Sequence, residues 1–106
     1  MLLLFYKWVW QFKPIYCECG CNKKLSLNIN LSSIDHIKEK SIYPQYKYSK
    51  SNIMFLHPDC HSNKTQGFKN KNMKDKLEWT NNNLILLSEE NIKFVNKLKN
   101  IINGEI

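Results

Sequence analysis

The hydrophobic positions of the chain change period several times, and each change marks a predicted element. Leu4, Tyr6, Trp8, Trp10 and Phe12 fall on every second position of the opening run MLLLFYKWVWQF. That is the period of a strand with one aromatic face, although the run also suits a short buried helix. Pro14 breaks the pattern, and residues 17–24 read as a tight knuckle around Gly20. Leu25, Leu27, Ile29 and Leu31 then alternate with Ser26, Asn28 and Asn30, which predicts a half-buried strand leading into Asp35-His36. Residues 38–51 hold Pro44 and three tyrosines with no helical period, so a loop crossing over the site is expected there.

Residues 53–56 form a compact apolar run that predicts a second strand. In His57-Pro58-Asp59-Cys60-His61, Asp59 is placed to cap a short helix carrying His61 and Lys64 until Gly67 stops it. Residues 68–83, rich in lysine and asparagine around Phe68, Met73, Leu77 and Trp79, read as a weakly specified connector. Ser88 followed by Glu89 and Glu90 reads as a helix start, with Ile92, Val95, Leu98, Ile101 and Ile102 as the apolar stripe and Gly104 as the stop. The fold class expected is α+β. No internal repeat is visible.

At 106 residues the chain has room for one domain, spanning 1–106, and a core small enough for a metal staple to help. Its sixteen cations are all lysines, against nine acids, for a net charge of +7. That balance favours a polyanionic partner, although lysine, asparagine and isoleucine bias also follows from an AT-rich genome. Lysine meets phosphate as a point charge, and no arginine is present for base readout, so low sequence specificity is expected. Contacts from Lys38, Lys40, Lys47, Lys50, Lys64, Lys69 and Lys71 would make binding salt-dependent. Lys7 interrupts the apolar N-terminus, which is shorter than the ~20 residues of a spanning helix. It lacks the charged start and cleavage site of a secretory signal, so no membrane partner and an intracellular location are expected.

Cys17, Cys19 and Cys21 crowd into five residues opposite a lone Cys60, a spacing that suits a metal better than two disulfides. His57 and Cys60 add a His-x-x-Cys pair, and two short chelating pairs on separate knuckles are the usual build of a tetrahedral structural zinc site. Cys17 and Cys21 have ordinary ligand spacing, whereas Cys19 would pair unusually tightly with either neighbour. The set expected is therefore Cys17, Cys21, His57 and Cys60, with Cys19 as the substitute ligand. His61, beside Cys60, could replace His57 or stand just outside the metal.

A second constellation comprises Asp35, His36, Asn52 and His61. Asn52 lies sixteen residues after His36 and nine before His61. SIDHI followed by SNIMFLHPDCHSNKT resembles the HNH endonuclease motif over about residues 15–67, with residues 84–104 as a helical extension beyond it. The resemblance implies a ββα-metal unit, to which the zinc staple, an N-terminal strand or helix and a C-terminal helix are added here. It implies that His36 is the general base and that Asp35 and His61 hold a catalytic magnesium or manganese. Asn52 would brace the loop and position His36, and Lys64 would face phosphate, with Lys38, Lys40 and Lys50 as further nucleic-acid contacts. The activity implied is metal-dependent hydrolysis of DNA phosphodiester bonds.

The chemistry supports that assignment on its own terms. Hydrolysis needs a base active near neutral pH, which histidine is, and positive charge where the phosphorane develops negative charge. The His-Pro-x-Cys-His form is similar to HNH domains of group II intron maturases, so a mobile-element or phage setting is expected. Where the family often has a proline after the acid-histidine pair and two glycines before the asparagine, this chain reads IKEK and YKYSK. The alternative function is a non-catalytic zinc-knuckle module that binds nucleic acid through its lysines and exposed aromatics.

Overall fold

A computed structural model describes residues 1–64 and 71–102, with side chains described for 1–61 and 71–101. Its elements run α1 (Leu2–Trp10), β1 (Ile34–His36), β2 (Ile53–Phe55), α2 (Pro58–Lys64), α3 (Lys71–Asn82) and α4 (Leu84–Ile102), with short 3-10 turns at Leu31–Ser33, Pro44–Tyr46 and Lys50–Asn52. The fold class is α+β: a two-stranded antiparallel sheet and four helices among the described residues. Ile34 faces Phe55, Asp35 faces Met54 and His36 faces Ile53. Ladder-like bonds from Leu56 N to Ser33 O (2.9 Å) and from Ile37 N to Asn52 O (2.8 Å) extend the pair at both ends. All six strand residues are buried, so the sheet lies inside the molecule and carries Asp35 and His36 into it.

The N-terminal segment is a helix and not a strand. Nearly every position there is apolar, so period two and period 3.6 fit equally well, and packing decides between them. Phe5 and Val9, one helical turn apart, are fully buried with Trp10 beside them, while Leu4 stays half exposed. A nine-residue helix is marginal alone, and this one is held by an aromatic cluster. Phe5 meets Phe94 edge-on at 5.2 Å and Tyr48 at 5.6 Å, and Trp8 lies 5.2 Å from Phe94. Burying such a side chain stabilises by about 1.5–3 kcal/mol.

Three further expectations change. The alternation from Leu25 to Leu31 does not make a strand: Leu25 is buried, but Leu27 is 89% exposed and Leu31 is exposed. Leu25 bonds back to the segment before the knuckle, through its N–H to Ile15 O at 2.9 Å, and the carbonyl of Leu27 accepts from the Trp10 indole at 3.2 Å. With no neighbouring strand among the described residues, the pattern has nothing to pair with. The supposed connector contains α3, whose buried Met73 and Thr80 and part-buried Leu77 share one helical face. Helix α4 begins four residues before Ser88, and its buried stripe is Leu87, Phe94 and Leu98, while Ile92 and Ile101 are exposed. The aromatic cluster claims Phe94, which rotates the helix away from the aliphatic stripe.

One contiguous buried cluster runs from Phe5, Val9 and Trp10 through Cys17, Cys19 and the two strands to Cys60, Met73, Phe94 and Leu98. No helix of the described residues is long and apolar enough to cross a membrane. Gly67, Phe68 and Gly104 lie outside the described residues.

Candidate metal centres and active site

The cysteine knuckle is folded by its backbone. Cys17 N donates to Lys23 O at 2.8 Å and Gly20 N to Cys17 O at 3.2 Å, which turns the chain back on itself. Gly20 adopts φ +87°, and a Cβ there would stand 2.7 Å from the Asn72 amide nitrogen of α3. Glycine adopts that φ without strain, and any larger residue would also have to displace the end of the Asn72 side chain. Glu18 latches the knuckle to β2: its N–H donates to Phe55 O at 2.9 Å, and its carboxylate accepts from Phe55 N at 2.8 Å. The same carboxylate meets Lys76 of α3 at 3.4 Å.

This latch brings together Cys17, Cys19, Cys21 and Cys60, whose sulphurs all lie within 4.8 Å of one another. Successive pairs, Cys17–Cys19, Cys19–Cys60 and Cys60–Cys21, are 3.2, 3.3 and 3.4 Å apart. Those separations are far too long for disulfides. Four sulphurs each about 2.3 Å from a tetrahedral zinc lie about 3.8 Å apart, within the observed spread, so the set could hold zinc. Burial pushes the Cys19 thiol up to about 11, and burial and the neighbouring sulphurs push Cys60 higher still. Burial raises Cys21 as well, but the backbone of Lys23 and the surrounding thiols bring it down to about 7. Buried sulphurs that resist negative charge on their own are ones a dication relieves.

The cluster that could hold zinc therefore contains Cys19, the substitute ligand of the sequence reading, and leaves the His57 ring outside it. His57 reaches the sulphurs with its backbone, N–H to Cys17 Sγ at 3.2 Å, while its ring turns to the start of α2. There Nδ1 accepts from Asp59 N at 3.3 Å, a capping bond to an amide of the first turn that has no partner within the helix. Asp59, expected as that cap, instead pairs with Lys23 at 3.1 Å, and Pro58 opens the helix.

The second constellation centres on β1, whose adjacent Asp35 and His36 turn to different neighbours. Asp35, 7% exposed, places Oδ1 3.2 Å from Nε2 of His61 on α2. His61 Nδ1 lies 2.7 Å from the carbonyl of Ser32. A carbonyl only accepts, so Nδ1 carries the proton, and in the neutral ring Nε2 presents its lone pair to a carboxylate oxygen. Two acceptors this close require a cation between them, either a proton or a metal ion. A carboxylate and an imidazole so arranged fit a divalent ion.

His36 is held by the crossing loop. Its Nε2 donates to Lys47 O at 2.9 Å, which leaves Nδ1 as the basic nitrogen of the neutral ring. Phe5 and Tyr6 of α1 wall the ring at centroid distances of 6.2 and 5.9 Å. Burial lowers the proton affinity of His36. The Lys47 carbonyl works against that, the charge of Lys40 adds to it, and the charge of Asp35 opposes it. Asn52, fully buried, ties both limbs of the loop: it accepts from Lys38 N at 2.7 Å and donates to Lys38 O at 3.0 Å and Tyr46 O at 3.1 Å.

The lysines divide. Lys38, Lys40, Lys47 and Lys50 each rest over an aromatic ring, respectively Tyr43, Tyr6, Tyr48 and Phe12. Lys71 opens α3, 3.9 Å from Asp75. The Lys64 side chain and Lys69 lie outside the described residues.

Four contributors, Glu90, Asn91, Tyr6 and Glu18, lay beyond the reach of sequence reasoning. Glu90 of α4 accepts from Ser51 N at 3.0 Å, Ser51 Oγ at 2.9 Å and the Ser49 hydroxyl, and Asn91 accepts from Tyr48 N at 2.7 Å. Together they strap the far side of the loop. The only local signal at Glu90 was that of a helix-start acid, and Tyr6 and Glu18 gave none.

Two buried strands and a helix, with a carboxylate-imidazole pair between strand and helix and a second histidine beside it, define a ββα-metal architecture. A family-model comparison agrees: the HNH endonuclease model matches residues 17–67, just under half of the chain, and supports the HNH family for that segment. No curated protein and no solved structure gave a match.

Proposed function

We propose that the protein is a metal-dependent HNH endonuclease acting on DNA. The observation that carries this reading is the 3.2 Å approach of Asp35 Oδ1 to His61 Nε2, on a histidine whose other nitrogen is committed to Ser32. Asp35 and His61 would hold magnesium or manganese, which supplies positive charge against the scissile phosphate. His36 acts as general base through Nδ1, taking a proton from the attacking water, and Lys47 O fixes the tautomer and ring angle that this requires. Asn52 holds the loop that presents Lys47. Zinc on Cys17, Cys19, Cys21 and Cys60 braces the start of α2, and with it His61. Lys38, Lys40, Lys50 and Lys64 contact the phosphate backbone, and the absence of arginine fits low sequence specificity. The likeness of residues 57–61 to maturase HNH domains supports a mobile-element or phage setting.

Zinc-loaded protein is expected to convert supercoiled plasmid to nicked or linear form with magnesium or manganese, and His36→Ala to abolish this while the protein stays folded. Cleavage that survives in the variant removes His36 from its role. Binding without turnover in any metal would leave the zinc-knuckle nucleic-acid-binding module instead.

A further inference from the structure

Helix α1 lies before the segment that the HNH model matches, yet it puts a phenol next to His36. The ring of Tyr6 stands edge-on to the His36 ring at a centroid distance of 5.9 Å and an interplanar angle of 62°. Its hydroxyl accepts from Lys40 Nζ at 3.1 Å. Among the described residues Lys40 makes no ion pair, so its hydrogen-bonded partner there is neutral. Once the ammonium has donated to the phenol oxygen, the phenol O–H must donate outward, and a donor polarised in this way is a stronger one. The remaining N–H groups of Lys40 are donors too. The pair therefore offers mainly donors and one positive charge, beside the ring of His36. The chemistry it lacks is that of an anion with several acceptor oxygens.

We propose that Tyr6 and Lys40 together bind a backbone phosphate of the DNA next to the scissile bond, so that α1 is part of the active site. The inference takes its ligand from the nuclease reading but does not depend on turnover. A phosphate at this position accepts from the Tyr6 hydroxyl and the Lys40 ammonium at once, and it fixes the strand against His36. Lys40 supplies the charge. Tyr6 supplies direction, because a phenol on a helix-borne ring has fewer freedoms than a lysine stem.

The test uses full-length zinc-loaded protein without magnesium or manganese and a fluorescent duplex DNA, with anisotropy read across a salt series. Lys40→Ala should flatten the log–log salt dependence by about 0.9, the signature of one lost phosphate contact. Tyr6→Phe should weaken binding about 5-fold, the equivalent of one hydrogen bond, with the salt slope and the urea midpoint unchanged. The double variant should lose less than the two singles combined, since both groups would grip one phosphate. Wild-type affinity in Tyr6→Phe, an unchanged slope in Lys40→Ala, or strict additivity would each overturn the proposal. Cleavage assays on the same proteins separate the two readings. Binding effects without any turnover would sink the nuclease and leave the pair, whereas normal cleavage and binding in Tyr6→Phe would sink the pair and leave the nuclease.

Discussion

Replacing Asn52 with alanine tests how the loop over the site is held. The Asn52 side chain is completely buried and makes three hydrogen bonds, two to the backbone of Lys38 and one to Tyr46 O. Alanine removes all three and leaves one amide and two carbonyls facing a small void. At about 1 kcal/mol net for each bond, the loss is about 3 kcal/mol, and more if water cannot enter to replace the amide. Against the 5–15 kcal/mol typical of a folded domain, the protein should remain folded with its zinc in place. The effect on chemistry should be larger than the remaining stability suggests, because the freed limb carries Lys47 O, the acceptor for His36 Nε2. A displacement of the base by about 1 Å can cost about 100-fold in rate. Urea unfolding at fixed free zinc gives the stability, and plasmid nicking with magnesium gives the rate for each folded molecule. An unfolding free energy within about 0.5 kcal/mol of wild type would show that Asn52 does not brace the loop. A destabilised variant that still cuts at the wild-type rate would show that the brace does not reach His36.

Two other expectations follow from the geometry. Cys19→Ser should lower bound zinc below one per chain and lower the melting temperature, whereas His57→Ala should keep one zinc and lose only a helix cap, about 1 kcal/mol. Zinc content by mass spectrometry of the native protein separates the two, and the reverse result would restore His57 as a ligand. Burial holds the folded His36 below its ordinary value of about 6.5. Its neutral form is therefore favoured by folding: its stability contribution is present above the unfolded pKa and is lost as pH falls through the lower folded one. Cleavage, which needs the neutral ring, should rise with pH on a limb whose midpoint lies below 6.5. A limb centred above that value would contradict the buried environment of the base.

Local pattern determined part of this protein without help. Residues 53–55 form a strand and a short helix carries Cys60 and His61, because a compact apolar run and helix-start residues act within a few positions, whereas the strand under Asp35-His36 begins only at Ile34, after the alternating run expected to form it. The clustering of cysteines likewise foretold that their sulphurs meet in a set that could hold zinc. Tertiary structure decided wherever two local solutions were equally good. The aromatic N-terminus became a helix because Phe5 and Val9 are buried on one side, Phe5 against Phe94 and Tyr48, and Leu25 to Leu31 stayed irregular because no strand of the described residues runs beside it. Asparagine-rich α3 was hidden because only Met73, Leu77 and Thr80 face inward.

The ligands and positioning groups were decided in the same way. The sulphur cluster that could hold zinc takes in Cys19 and leaves the His57 ring outside, because Glu18 latches the knuckle onto β2 while that ring caps α2. Tyr6, Glu90 and Lys47 O act on residues about ten to forty positions away, through packing and directed hydrogen bonds. Spacing along a chain limits which side chains can meet. The choice among them depends on which burial and hydrogen-bond demands can be met at once, and only the folded molecule makes it.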